Sequence, residues 1–168
     1  MPVQRLNHAV LYVRDVGPSV AFYRDVLGFR TVAEIPGRAA FLQAEGSSND
    51  HDLGLFAIGA GAPSAGHSTV GLYHLAWEVD TLDELARIRS SLTSARALVG
   101  ASDHGSTKAL YAKDPDGLEF EVSWLVPADL LDDESRTMRT APLDLDAEIR
   151  RYGGSTPGGI GVSVPARG

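Results

Sequence analysis

Residues 72–79 read LYHLAWEV, and residues 6–13 read LNHAVLYV. Both alternate with the period of two that marks a half-buried β-strand. In the earlier stretch Leu6, His8, Val10 and Tyr12 share one face, and Asn7, Ala9, Leu11 and Val13 share the other. In the later one Leu72, His74, Ala76 and Glu78 fall together. Overlaying His8 on His74 sets an offset of 74 − 8 = 66 residues and brings Val13 onto Val79.

A helix follows each strand. Pro18 suits a first helical turn, Val16, Val20, Tyr23 and Leu27 form one stripe, and Gly28 ends it. After the second strand, Thr81 and Glu84 make a capping-box pattern ahead of the stripe Leu82, Leu85, Ile88 and Leu92. Extended stretches come next in both halves: residues 29–35, 39–43 and HDLGLFAI at 51–58, then 97–99, 109–113 and 118–125. The last two are joined by the turn DPDG, where Pro115 presets φ and Gly117 tolerates positive φ. The pattern predicts an α+β protein of two tandem βαβββ modules, about 5–58 and 70–125, within a domain spanning 1–126. The two modules are expected to pair into a curved sheet enclosing a cleft lined by the front faces of the strands. The small-residue stretch 59–69 is the expected boundary. Beyond Pro127 the repeat stops, and residues 127–168 read as an extension with a short helix at 143–152 and a mobile Gly-, Ser- and Pro-rich tail.

Composition narrows the function. Hydrophobic residues make up 43% and charged residues 22% of the 168, which is ordinary globular usage. Cysteine is absent, excluding disulfides, thiolate metal sites and a cysteine nucleophile. A formal charge of −7 without a basic stripe disfavours nucleic-acid binding. No apolar run reaches the roughly 20 residues of a membrane span, and the opening MPVQRLNH lacks a signal-peptide core. The expectation is a cytoplasmic protein with no membrane partner.

The chemistry centres on histidine. Taken singly, a histidine on an apolar strand is more often a hydrogen-bonded core residue than a ligand. Duplication changes that for His8 and His74, because equivalent strands would present two imidazoles to one cleft. Glu121 lies midway along LEFEV on a face with Glu119 and Ser123. It either points to solvent at a strand edge or, turned inward, needs a cation to offset its charge. Two imidazoles and one carboxylate make a facial triad with open positions opposite, as non-haem iron(II) oxygenases use. Zinc, manganese or another divalent ion accepts the same set. Tyr111 reads on its own as a strand tyrosine in an aromatic wall, and His104 as a loop residue. His67 fits no pattern and reads as a surface loop residue.

The duplicated modules with His8, His74 and Glu121 resemble the vicinal oxygen chelate superfamily. The second half resembles small type I extradiol (catechol 2,3-) dioxygenases through SDHGSTKALYAKDPDGLEFE, where His104, Leu110, Tyr111, Asp114, Pro115, Gly117 and Glu121 fill the signature positions. Ser102 departs from the usual residue there without touching a chemical group. That resemblance implies a metal held by His8, His74 and Glu121, with Fe(II) expected and Mn(II) as the substitute. It implies a catechol-type substrate and O2 as reactants, with both oxygen atoms entering the ring beside the diol. His51 would be the acid–base group, suited by an imidazole's ordinary range near neutrality. His104 and Tyr111 would hold the substrate oxygens. Relatives of this kind often self-associate, so a homo-oligomer is within expectation. The 66-residue overlay sets Leu55 opposite Glu121, where glyoxalase-like relatives carry a fourth ligand. The remaining alternatives are a fosfomycin-resistance-like transferase, a metal-free drug-binding protein and a globular domain whose histidines are simply hydrogen-bonded.

Overall fold

The computed structural model describes residues 2–159 apart from Gln4, Ala65, 67–69 and Met138. His67 and the last nine residues of the expected tail therefore lie outside the described residues. The chain divides into two compact units, residues 1–69 with 114–118, and residues 70–113 with 119–168. Both are α+β with one open mixed sheet, of four strands in the first and five in the second. No helix among the described residues is long and apolar enough to cross a membrane.

The first unit runs β1 (Ala9–Val13), α1 (Val16–Leu27), β2 (Arg30–Ile35), β3 (Ala39–Gln43) and β4 (Leu53–Ala57), with strand order β1-β4-β3-β2. The alternation in β1 does what its sequence predicts: Leu11 and Val13 are buried, whereas Val10 and Tyr12 are exposed on the front. Helix α1 starts where the Asp15 carboxylate accepts from Gly17 N, and it stops at Gly28, whose φ of 76° is left-handed. Its buried face sets Val16, Val20, Tyr23 and Val26 against the back of the sheet. The DPDG turn joins this unit by specific bonds. Tyr23 Oη donates to the Asp114 carboxylate (3.2 Å), and Arg14 donates to Asp116 from its backbone N (3.1 Å) and its guanidinium (2.7 Å). Burial first, then Asp114, pushes the Tyr23 phenol well up.

The second unit repeats the order with β5 (Leu75–Glu78), α2 (Leu82–Ser94), β6 (Leu98–Asp103), β7 (Thr107–Lys113) and β8 (Glu119–Leu125). The predicted stripe Leu82, Leu85, Ile88 and Leu92 is the buried face of α2. Only half of the capping box forms. Thr81 Oγ1 accepts from Glu84 N, but the Glu84 carboxylate turns to Arg87. Strand β6 is longer than its apolar core suggested, because pairing with β7 carries polar Ser102 and Asp103 into the ladder. The extension is also richer than one helix. It adds a 3-10 turn (Ala128–Leu130), α3 (Asp133–Arg136), the edge strand β9 (Ala141–Pro142) and α4 (Leu145–Tyr152), giving sheet order β5-β8-β7-β6-β9.

The duplication reaches into irregularities. Register shifts between Thr31 and Ala33 in β2, and between Leu98 and Gly100 in β6, leave Val32 and Val99 as equivalent bulge residues. One register differs. Ala9 faces Leu53 in the first unit, whereas Leu75 faces Phe120 in the second. That one-residue difference moves the counterpart of Glu121 from Leu55 to Gly54. Val10 pairs with Gly54 as Ala76 pairs with Glu121, and Leu55 is fully buried on the opposite face with Leu11. A constant offset cannot detect this, since a one-residue slip exchanges the faces of a strand.

Candidate active site

The front of the second sheet gathers four of the six sequence-predicted site residues. Register sets Ala76 beside Glu121 on β8, and Glu121 beside Tyr111 on β7. His74 sits two residues before Ala76 and so reaches the same face, placing its Nε2 3.4 Å from Glu121 Oε2. The two side chains are only 25% and 13% exposed. His74 Nδ1 is buried and finds no hydrogen-bond partner among the described residues. The Tyr73 and Tyr111 rings flank the imidazole at centroid distances of 4.8 and 6.0 Å.

Tyr111 links this pair to His104. Burial, followed by the charge of Glu121, pushes the Tyr111 phenol above its ordinary range, so it stays protonated at neutral pH. His104 lies in the turn between β6 and β7, where its backbone N–H donates to Thr107 O at 2.9 Å. Its Nε2 is 2.9 Å from Tyr111 Oη, and its Nδ1 is 3.0 Å from the Arg139 carbonyl.

The first unit holds the other two. The His8 and His51 rings lie 4.5 Å apart, with the Phe41 ring edge-on to His51 at 5.3 Å. His51 Nδ1 is 3.2 Å from Asp50 Oδ1, and His8 Nδ1 is 2.8 Å from Asn7 Oδ1. A polar knot over residues 43–52 fixes the approach to β4. The Asp52 carboxylate accepts from Ala44 N, Ser47 Oγ and Asn49 Nδ2, while buried Gln43 donates to the carbonyls of Ser47 and Asn49. Asn49 Nδ2 also donates to Asn7 O at 2.7 Å, which ties the knot to the residue preceding His8. Sequence reading missed Asn49 and Asp52 as positioning groups, although side chains of this type in a polar break are the signal for local backbone bonding. Arg139 gave no local signal, because its contact with His104 closes 35 residues of chain.

Comparing front rows, Val10, Gly54 and Phe41 in the first unit correspond to Ala76, Glu121 and Tyr111 in the second. The first row is apolar and offers no donor. Neither unit alone gathers three His, Asp or Glu side chains able to hold a metal ion, among the described residues. The His74–Glu121 pair nonetheless suits two ligands of one cation. A separation of 3.4 Å is long for a hydrogen bond. It is what two donors each about 2.1 Å from a shared ion would show.

Residues 5–122 match the family model described as the Glyoxalase/Bleomycin resistance protein/Dioxygenase superfamily, and the chain belongs to that family. It is 36% identical over 123 residues to Biphenyl-2,3-diol 1,2-dioxygenase 3 of Rhodococcus globerulus, covering 70% of this chain and 62% of that protein. Identity to Catechol-2,3-dioxygenase of Bacillus subtilis (strain 168) is 31% over 121 residues, covering 70% of this chain and 40% of that protein. The chain thus spans less than two thirds of the length of either relative. Among solved structures, a glyoxylase/bleomycin resistance protein/dioxygenase domain from Frankia sp. EAN1pec superposes with a TM-score of 0.62 at 21% identity, covering 73% of this chain and 92% of that one. The fosfomycin resistance protein FosX from Listeria monocytogenes, complexed with Mn(II), gives a TM-score of 0.56 at 16% identity, covering 72% of this chain and 90% of that one. These two likenesses are of fold.

Proposed function

We propose that the chain carries an extradiol-type ring-cleavage activity, in which O2 and a catechol-type substrate react at a divalent metal. The observation that carries this reading is the convergence of His74, Glu121, Tyr111 and His104 on one sheet face, in a chain whose relatives include proteins named as dioxygenases. In this reading His74 and Glu121 hold the metal together with His8, with iron(II) preferred over manganese(II). The metal, when bound, supplies a Lewis acid for the vicinal hydroxyls and an electron path to O2. Gly54 in the position equivalent to Glu121 offers no fourth protein ligand, which speaks against a glyoxalase-like ligand set.

The chain's own residues do the rest. Tyr111, kept as a neutral phenol, hydrogen-bonds a substrate oxygen and is itself held by His104. His51, packed against Phe41 and Asp50, moves a proton to or from the substrate. The Tyr73 and Tyr111 rings lie on either side of the His74 imidazole and limit its rotation.

The test is anaerobic loading with iron(II), then a panel of catechols and air, following oxygen uptake and a yellow ring-opened product. Oxygen uptake with matching product supports the proposal. A metal-loaded protein that consumes no oxygen with any catechol overturns it. A parallel arm with manganese(II), fosfomycin and a thiol reports the transferase alternative directly.

A further inference from the structure

The family match ends at residue 122, yet the group closest to His104 on its outer side comes from beyond that point. His104 Nδ1 lies 3.0 Å from Arg139 O, which can only accept, and 3.3 Å from Thr140 Oγ1, which can donate or accept; the shorter contact, to the carbonyl, favours the ring proton on Nδ1. In a neutral imidazole Nε2 is then bare, and it accepts from Tyr111 Oη at 2.9 Å. Tyr111 has one proton, which His104 Nε2 and the neighbouring Glu121 carboxylate can both accept, and a bare Nε2 at 2.9 Å draws it toward His104. The phenol oxygen is left with lone pairs free to accept from a substrate hydroxyl.

Three further features fix the extension at this place. The Arg139 guanidinium bridges Asp103 and Glu134, with Nη1 2.8 Å from the Glu134 carboxylate. Strand β9 pairs with β6 through Asp103 and Ala141, immediately beside His104. Gly105 lies so close to the extension that a Cβ there would stand 2.6 Å from Ser135 O and 2.8 Å from Thr137 O. With φ at 82°, that position also disfavours any side chain. The turn carrying His104 is thus in contact with Ser135, Thr137 and Arg139 of the extension.

We propose that Arg139 is a positioning residue: it anchors the extension so that its own carbonyl locks His104 in the Nδ1–H tautomer and thereby orients the Tyr111 hydroxyl. The effect on turnover rests on the ring-cleavage reading above, but the tautomer does not. The Asp103 carboxylate sits in the lock, raised by burial yet brought net below its ordinary range by Lys108 and Arg139, so it stays ionised for Arg139 at neutral pH.

The experiment is 15N NMR of the His104 ring in the full chain, without metal or substrate. Wild type is expected to show one protonated Nδ1 and one unprotonated Nε2. Arg139→Ala should move both nitrogens toward the average of two exchanging tautomers, and Arg139→Lys should restore part of the difference. Should Arg139→Ala fold poorly, Glu134→Gln weakens the same anchor from an exposed position and should give a smaller shift in the same direction. An unprotonated Nδ1 in wild type, or ring signals unchanged in folded Arg139→Ala, overturns the proposal. If the ring-cleavage reading holds, Arg139→Ala lowers kcat by no more than His104→Ala does, about 100-fold, and adds nothing in the His104→Ala background. Additive losses in that cycle would contradict action through His104. Expected NMR shifts with no catechol turnover in wild type would leave the lock standing and remove the ring-cleavage reading instead.

Discussion

Removing the ammonium of Lys108 should be among the most damaging single changes outside the candidate site. Lys108 is fully buried on β7, with Nζ 2.6 Å from Asp103 Oδ1 and 3.0 Å from Glu148 Oε2 on α4. In Lys108→Met the side-chain volume is kept and only the charge is lost, so packing is not the variable. Asp103 retains Gly105 N and Arg139 as partners, whereas Glu148 Oε2 has its ion pair with Lys108 but makes no hydrogen bond among the described residues. Removing one member of a buried pair leaves an uncompensated charge and costs about 3–5 kcal/mol. At this chain length each kcal/mol moves Tm by about 2–4 °C, so a drop of about 6–20 °C is expected. Thermal and urea unfolding, followed by far-UV circular dichroism, measure it. The double variant Lys108→Met with Glu148→Gln should recover part of the loss by removing the stranded carboxylate. A single variant melting within about 2 °C of wild type would refute the argument that this ammonium neutralises the buried Asp103 and the mostly covered Glu148.

Other expectations follow from the same geometry. His74→Ala and Glu121→Ala should lose bound metal and turnover together, whereas Tyr111→Phe and His51→Ala should keep the metal and slow turnover, about 100-fold or more; metal analysis of purified variants decides, and metal loss in either of the last two would show a misassigned role. The Asp132 carboxyl is lowered to about 2, first by its bond from Ser135 N and then by Arg151. Its contribution to stability is therefore complete above the ordinary 3.8 and lost as pH falls toward about 2; Asp132→Asn should flatten a Tm-versus-pH profile across that interval. The register difference predicts that Leu55→Ala costs about 2–5 kcal/mol. Gly54→Ala should cost less than about 1 kcal/mol, because the neighbour its Cβ meets is the exposed, adjustable Val10 side chain. Urea denaturation compares the two, and a larger loss at Gly54 would mean the faces of β4 are exchanged.

Local pattern was enough for the modules. The period-two stretches became β1 and β5, and the stripe of α2 is buried residue for residue, because a burial pattern with helical or strand period has few other solutions. The turn DPDG was equally legible: Gly117 adopts a φ of 84°, and Asp114 caps its own turn by accepting from Asp116 N and Leu118 N. The pairing of Glu121 with His74 was within reach, since both residue type and face could be read from alternation. Ladder register, by contrast, depends on where each pair of strands meets, and loops of different length let β4 and β8 meet their partners one residue apart.

What the residues alone determine here is the repeat, its helices and the chemical identity of the side chains on the strand fronts, all set by neighbours a few positions apart. Only tertiary structure decided that Gly54, not Leu55, answers to Glu121, that the 114–118 turn is claimed by Arg14 and Tyr23, and that Arg139 reaches His104 from 35 residues away. Those contacts satisfy buried charges and backbone groups across long loops, and no periodicity in the chain encodes which distant partner will do so.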